Sequence, residues 1–151
     1  MFQVFEMHFD KKDIPAVVID CIPFDERFIE DYKTFYNAAF YPMRKALGIK
    51  PYNWYSNLED IRALSSDIYL LTEGDELIGA VACYGNEVDD LFVSGKYKGQ
   101  GYGRKLLYWA MDKIRASGYN DIVLHVAKWN ENACKLYESA GFVITKTEDI
   151  G

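Results

Sequence analysis

Three glycines alternate through Gly99, Gln100, Gly101, Tyr102 and Gly103, between an apolar run ending near Val93 and an amphipathic run beginning near Tyr102. A strand that runs through a glycine-rich loop straight into a helix is suited to an anion. The first amide N–H groups of a helix lack intrahelical partners and the helix dipole is positive there. Glycine also removes the Cβ atoms that would hold a phosphate off the backbone. Other phosphate loops fit less well: position 104 is Arg and position 106 is Leu, so neither the Walker pattern nor the dinucleotide fingerprint is completed. Spacing alone also fits a tight strand-to-helix turn with no ligand.

Acidic side chains precede this loop in the segment EVDDLFV, where Glu87, Asp89 and Asp90 are candidates to accept a proton. Strict period-2 alternation places Glu87 and Asp89 on one face and Asp90 on the other. Tyr137 lies on one side of a later helix, and Asn130 stands where that helix needs an N-cap. His8 and His125 each sit alone in a strand and read as packed or surface residues. Cys21, Cys83 and Cys134 are odd in number and scattered, with no CxxC pair. They read as reduced thiols, and no metal site is expected.

The elements that must hold these residues follow from periodicity. Phe5, Met7 and Phe9 alternate with polar residues as a strand, and AVVIDCI after the turn DKKDIP reads as its hairpin partner. Asp25 caps a helix with Phe28, Tyr32, Tyr36, Ala39, Phe40 and Met43 at three- and four-residue steps, which Pro42 is expected to kink or end. Ser56 and Glu59 spell a capping box for a short second helix. DIYLL, LIGAVACY and VDDLFV form a meander. The loop-fed helix ends at Gly118, and DIVLHVA, NENACKLYESAG and FVITKTE follow as strand, helix and strand.

The chain of 151 residues has the length of one ordinary domain, 1–151, with half of its residues hydrophobic. A formal net charge of -6 argues against a nucleic-acid binder and for a neutral or cationic partner. No run of 18 apolar residues and no leader pattern is present, so a cytoplasmic protein with no membrane association is expected. A homodimer is compatible with the composition, which specifies no symmetry.

Two ordered motifs resemble the GCN5-related N-acetyltransferase (GNAT) family. Its motif of Arg or Gln, two residues, Gly, one residue, and Gly or Ala appears as Lys98 to Gly103, with Lys98 in place of Arg or Gln. Lysine keeps the charge and loses the planar fork. Asn130, Ala133, Leu136, Tyr137, Glu138, Gly141 and Phe142 resemble the family's second signature. The resemblance is strong from Glu87 to Phe142 and does not extend to the first helices.

The resemblance implies a mixed, mostly antiparallel α/β (α+β) sheet flanked by helices, acetyl-CoA as cosubstrate, and transfer of its acetyl group to an amine-bearing acceptor. It further implies that amides from Gln100, Gly101, Tyr102, Gly103 and Arg104, with Gly99 and Lys98, hold the pyrophosphate, and that Phe92 and Val93 pair with the pantetheine. Asn130 contacts the coenzyme arm, and Tyr137 protonates the departing thiolate. Glu87 and Asp90 relay the amine proton, with Asp89 beside them. Tyr52, Trp54 and Tyr55 are candidates for the acceptor wall. The alternative is a regulatory module that binds acyl-CoA without chemistry.

Overall fold

The computed structural model describes residues 1–151. Seven strands form one sheet: β1 (Phe2–Phe9), β2 (Ile22–Pro23), β3 (Ile68–Glu73), β4 (Glu76–Tyr84), β5 (Glu87–Val93), β6 (Ile122–Ala127) and β7 (Val143–Ile150). Four helices accompany it: α1 (Ile29–Leu47), α2 (Glu59–Leu64), α3 (Tyr102–Ala116) and α4 (Glu131–Ala140). The spatial order is β2-β3-β4-β5-β6-β1-β7, and every neighbouring pair is antiparallel except β5 with β6. This is the mixed, mostly antiparallel sheet flanked by helices that the sequence implied.

β4 feeds both halves of the core, its alternation switching sides at the irregularity where Leu71 pairs with Gly79 but Thr72 with Leu77. Ile78 and Val81 pack with Leu106, Leu107, Ala110, Met111 and Ile114 of α3. Ala80 and Ala82 pack with Tyr32 and Tyr36 of α1, Ile61 of α2 and Phe92 of β5. Burial of one such side chain contributes about 2 kcal/mol, well above a surface ion pair, so the apolar stripes decide where the helices sit. Gly79 marks the closest approach. A Cβ there would stand 2.6 Å from the Phe92 carbonyl oxygen and 2.9 Å from Leu106 Cδ1.

Three local expectations are corrected. AVVIDCI is not the partner of β1, because both edges of β1 are taken, by β6 and by β7. Val17 and Val18 are exposed, and only Ile22 and Pro23 pair, with Leu70 and Tyr69 at the far edge. Pro42 neither ends nor interrupts α1, which continues to Gly48 in the left-handed region at φ 69°. The carbonyl that Pro42 leaves unpaired belongs to Ala38, an exposed residue, so that side of the helix is open to solvent. The second helix is capped by Asn57, whose Oδ1 accepts the Asp60 N–H at 3.0 Å, rather than by Ser56.

Gly118, at φ 103°, follows α3 as its left-handed stop. Arg115 in the last turn donates to the carbonyls of Lys11 and Lys12, each at 2.8 Å, and fixes the chain leaving β1 against the end of α3.

Candidate functional site

The site begins as a fault in the sheet. β5 and β6 share a single register pair, Glu87 with Val123, after which the parallel strands part. β6 follows β1 along Ile122 to Ala127, while β5 stays with β4. The gap opens into a cavity of about 570 Å³. Asp89 to Val93 of β5, His125 to Ala127 of β6, Ala39, Phe40 and Met43 of α1, and Leu136 and Tyr137 of α4 line it. Of its 23 lining residues 16 are hydrophobic, so the few polar groups inside interact at lower effective dielectric than they would in water.

A bulge sets the acidic end. Ala80 pairs with Phe92 but Ala82 pairs with Asp89, so three steps of β5 oppose two of β4. Asp90 takes up the extra residue at φ 49°. The alternation expected from sequence is thereby broken, and Asp89 and Asp90 both line the cavity. Asp90 is held at both oxygens: Tyr36 of α1 donates to Oδ1 at 2.8 Å and Tyr84 of β4 donates to Oδ2 at 2.7 Å. Asp89 accepts only the Asp90 N–H, through Oδ1 at 2.7 Å. Asp89 is an exposed residue whose carboxyl opens to the cavity, and desolvation by the apolar walls together with the charge of Asp90 pushes it up to about 6. Tyr36 and Tyr84 are moved upward, first by burial and then by Asp90.

Tyr137 faces the same space from α4. It packs edge-on against Phe142 with ring centroids 6.3 Å apart. Burial, and then Asp89, pushes its phenol up to about 12, so it holds its proton firmly at neutral pH. The cavity thus has in its lining an acid that is half ionised near pH 6, on β5, and a phenol that stays protonated, on α4.

At the loop, Gly101 sits at φ 83° immediately before α3. The Lys98 N–H reaches the Gly95 carbonyl at 3.4 Å, and the next backbone N–H with a chain partner is that of Lys105, on the Gly101 carbonyl at 3.3 Å. The six amides from Gly99 to Arg104 are therefore free for an anion, and no Cβ at Gly99 or Gly101 would meet another atom within 4 Å. The Arg104 guanidinium lies across α4, donating to Tyr108 Oη and Ser139 Oγ, both at 2.9 Å. Lys96 is paired with Glu76, which also accepts from the Tyr97 hydroxyl.

A model described as the Acetyltransferase (GNAT) family matches residues 26–142, well over half of the chain. The chain belongs to this family. Mycothiol acetyltransferase from Corynebacterium glutamicum is 28% identical over 100 residues, 63% of this chain and 32% of its own length. N-alpha-acetyltransferase 30 from Homo sapiens is 28% identical over 106 residues, 64% of this chain and 29% of its own. The chain thus spans about a third of the length of these relatives. Among solved structures, a GNAT acetyltransferase from Colwellia psychrerythraea superposes with a TM-score of 0.75 at 17% identity, covering 96% of this chain and 53% of that one. A GNAT structure from Novosphingobium aromaticivorans gives 0.70 at 18% identity, covering 97% and 61%.

Set on this GNAT scaffold, the residues singled out from sequence fall into two groups. Phe92, Val93, Lys98, Asn130, Asp90 and Tyr137 line the cavity, whereas Gly99 to Arg104 form the separate amide cradle at the start of α3. Asn130 caps α4, its Oδ1 accepting the Ala133 N–H at 3.2 Å, and still borders the cavity. Glu87 is not a lining residue; it meets the cavity through His125, 3.0 Å away. The expected aromatic wall is elsewhere: Tyr55 is buried against Tyr36, Trp54 lies under the Arg44 guanidinium and Tyr52 meets Tyr41 edge-on. His125 and the Asp90 tyrosines were missed, since only the pairing of β6 with β1 and the bulge bring them there.

Proposed function

We propose that this GNAT protein transfers an acetyl group from acetyl-CoA to a primary amine of a small molecule or a peptide. The observation that carries this reading is that one cavity is lined both by a carboxylate with an oxygen free, Asp89 of β5, and by a protonated phenol, Tyr137 of α4. The cosubstrate supplies an activated thioester. The free amides of Gly99 to Arg104 fit its pyrophosphate, and the β5 edge at Phe92 and Val93, unpaired toward β6, fits an arm that needs main-chain hydrogen bonds.

An alkyl amine has a pKa of roughly 10 and must lose a proton before it attacks, so the site needs an acceptor. Of the three acidic residues, Asp89 meets that need best. Both oxygens of Asp90 already accept phenol protons, and Glu87 is turned to His125. Asp90 therefore positions Asp89 by fixing the bulge, and Tyr137 returns a proton to the leaving thiolate. Paired carboxylates at the apex and the net charge of -6 favour a cationic acceptor. A relative named for N-alpha acetylation agrees with an amine nitrogen as the acceptor.

The test is calorimetric titration with acetyl-CoA of the wild-type chain and of Gly101→Glu, followed by thiol release with a panel of amines. A carboxylate in the cradle repels the pyrophosphate, so binding should weaken by about 100-fold or more. Binding without thiol release from any amine would leave a regulatory module, and no binding by the wild type would overturn the reading.

A further inference from the structure

Five ionisable side chains stand in an unbroken line across three strands, starting at the apex of the cavity. Glu87 Oε2 on β5 lies 3.0 Å from His125 Nδ1 on β6, and His125 Nε2 lies 3.1 Å from Glu6 Oε1 on β1. The second Glu6 oxygen, Oε2, is 3.0 Å from His8 Nε2, and His8 Nδ1 is 2.8 Å from Asp121 Oδ2. Each inner member uses both of its polar atoms, one toward each neighbour. The register produces this order, since Glu6 sits opposite His125, His8 follows two residues along the same face of β1, and Asp121 just precedes β6. His125 borders the cavity, while the Asp121 side chain at the other end is 49% exposed.

We propose that Glu87, His125, Glu6, His8 and Asp121 form a proton path from the apex of the cavity to solvent. This rests on the amine-transfer reading, in which each turnover converts an ammonium and a thioester into an amide, a thiol and one released proton. A proton passed from the amine nitrogen to Asp89, and on through water to Glu87, which does not itself line the cavity, moves from Glu87 to His125 Nδ1. His125 Nε2 gives its proton to the Glu6 carboxylate. Glu6, for that moment a neutral acid, turns its carboxyl and gives the proton to His8 Nε2 as His8 Nδ1 gives its own to Asp121, which releases it to water. The partly exposed imidazoles regain their starting tautomers by exchange with water. Each hop breaks one O–H or N–H bond and makes one, so Glu87 returns to its carboxylate.

The electrostatics favour protons on the two imidazoles and a carboxylate at Glu6 between them. Glu6 is held below its ordinary range by His8 and His125, and His8 is raised, chiefly by Glu6. Burial lowers His125, but its hydrogen bonds to Glu87 and Glu6 outweigh that and raise it. Two other charges face the chain. Asp89 lies on β5 beside His125, and Lys146 of β7 stands opposite Glu6, paired 3.0 Å from Glu148.

His8 and Asp121 do not line the cavity, which makes the path separable from the cavity's own chemistry. His8→Ala should leave acetyl-CoA affinity unchanged and lower kcat about tenfold, and added imidazole should restore the rate. A kcat within twofold of wild type, or a loss that imidazole does not relieve, would overturn the path. A second measurement does not depend on transfer: ¹⁵N NMR titration of the two imidazoles in the ligand-free protein. Coupled sites titrate together, so His8→Gln should move the His125 midpoint by on the order of half a pH unit or more. An unmoved midpoint refutes the path even if acetyl transfer is intact, whereas a moved midpoint in a chain that acetylates no amine refutes the transfer reading alone.

Discussion

Replacing Asp89 by Asn is the most searching perturbation of the site. With a midpoint near 6, this carboxyl is about 97% ionised at pH 7.5 and only about a tenth ionised at pH 5. If it accepts the amine proton, the wild-type kcat/KM falls about tenfold per pH unit below 6. Asp89→Asn removes that acidic limb and lowers the plateau by about 100-fold or more, the usual contribution of a positioned base. Acetyl-CoA affinity stays within about twofold, because the proposed contacts to the coenzyme are main-chain groups that this substitution leaves in place. The same substitution has a stability signature of defined sign. A carboxyl raised above its ordinary value near 3.9 favours the folded state at low pH, and that contribution is lost as pH rises through about 6. Asp89→Asn should therefore raise Tm above pH 6 and leave it unchanged below pH 4. Steady-state rates from pH 5 to 9 with parallel thermal melts make the measurement. A variant that keeps its limb, or stays within threefold of wild type, would rule out Asp89 as the acceptor.

Two further perturbations separate chemistry from packing. Tyr137→Phe keeps the ring against Phe142 and removes only the proton donor, so single-turnover thiolate release should slow by roughly 100-fold with acetyl-CoA binding and Tm preserved. Gly79→Ala forces a methyl to 2.6 Å from the Phe92 carbonyl, which is backbone and cannot swing away. Denaturant titration should show a loss of about 1–3 kcal/mol, and weaker coenzyme binding should accompany it, because the displaced strand is the cavity wall.

How much of this was legible before the fold is a matter of range. The glycine loop, α3 with its stop at Gly118, the meander and α4 with its Asn130 cap all depend on neighbours a few residues away, and each was found where the sequence put it. The partner of β1 was not. Alternation marks Phe5, Met7 and Phe9 as a strand, but strands separated by more than a hundred residues take both of its edges. His8 and His125 each looked solitary for the same reason. Their shared neighbour Glu6 joins them only through the β1 to β6 register. Pro42 misled because a helix break depends on what surrounds the freed carbonyl, and Ala38, which carries it, is exposed to solvent.

The bulge in β5 was hidden by a different cause, and it ties stability to the site. A non-glycine residue in the left-handed region costs roughly 1–2 kcal/mol; Asp is among those that tolerate it, and the Asp90 N–H bond to Asp89 helps, but neither marks the bulge within EVDDLFV. Two phenol hydrogen bonds to a carboxylate contribute about 1.5–3 kcal/mol each, more than enough to hold the strained residue. One of those phenols comes from α1 and the other from β4, so the bulge forms only when helix and sheet have docked. The same docking turns Asp89 and Asp90 to one side and leaves Asp89 with an oxygen free. In this arrangement the carboxylate that is fully satisfied sets the geometry, and the one that is not is the one the proposed transfer would use to take the proton.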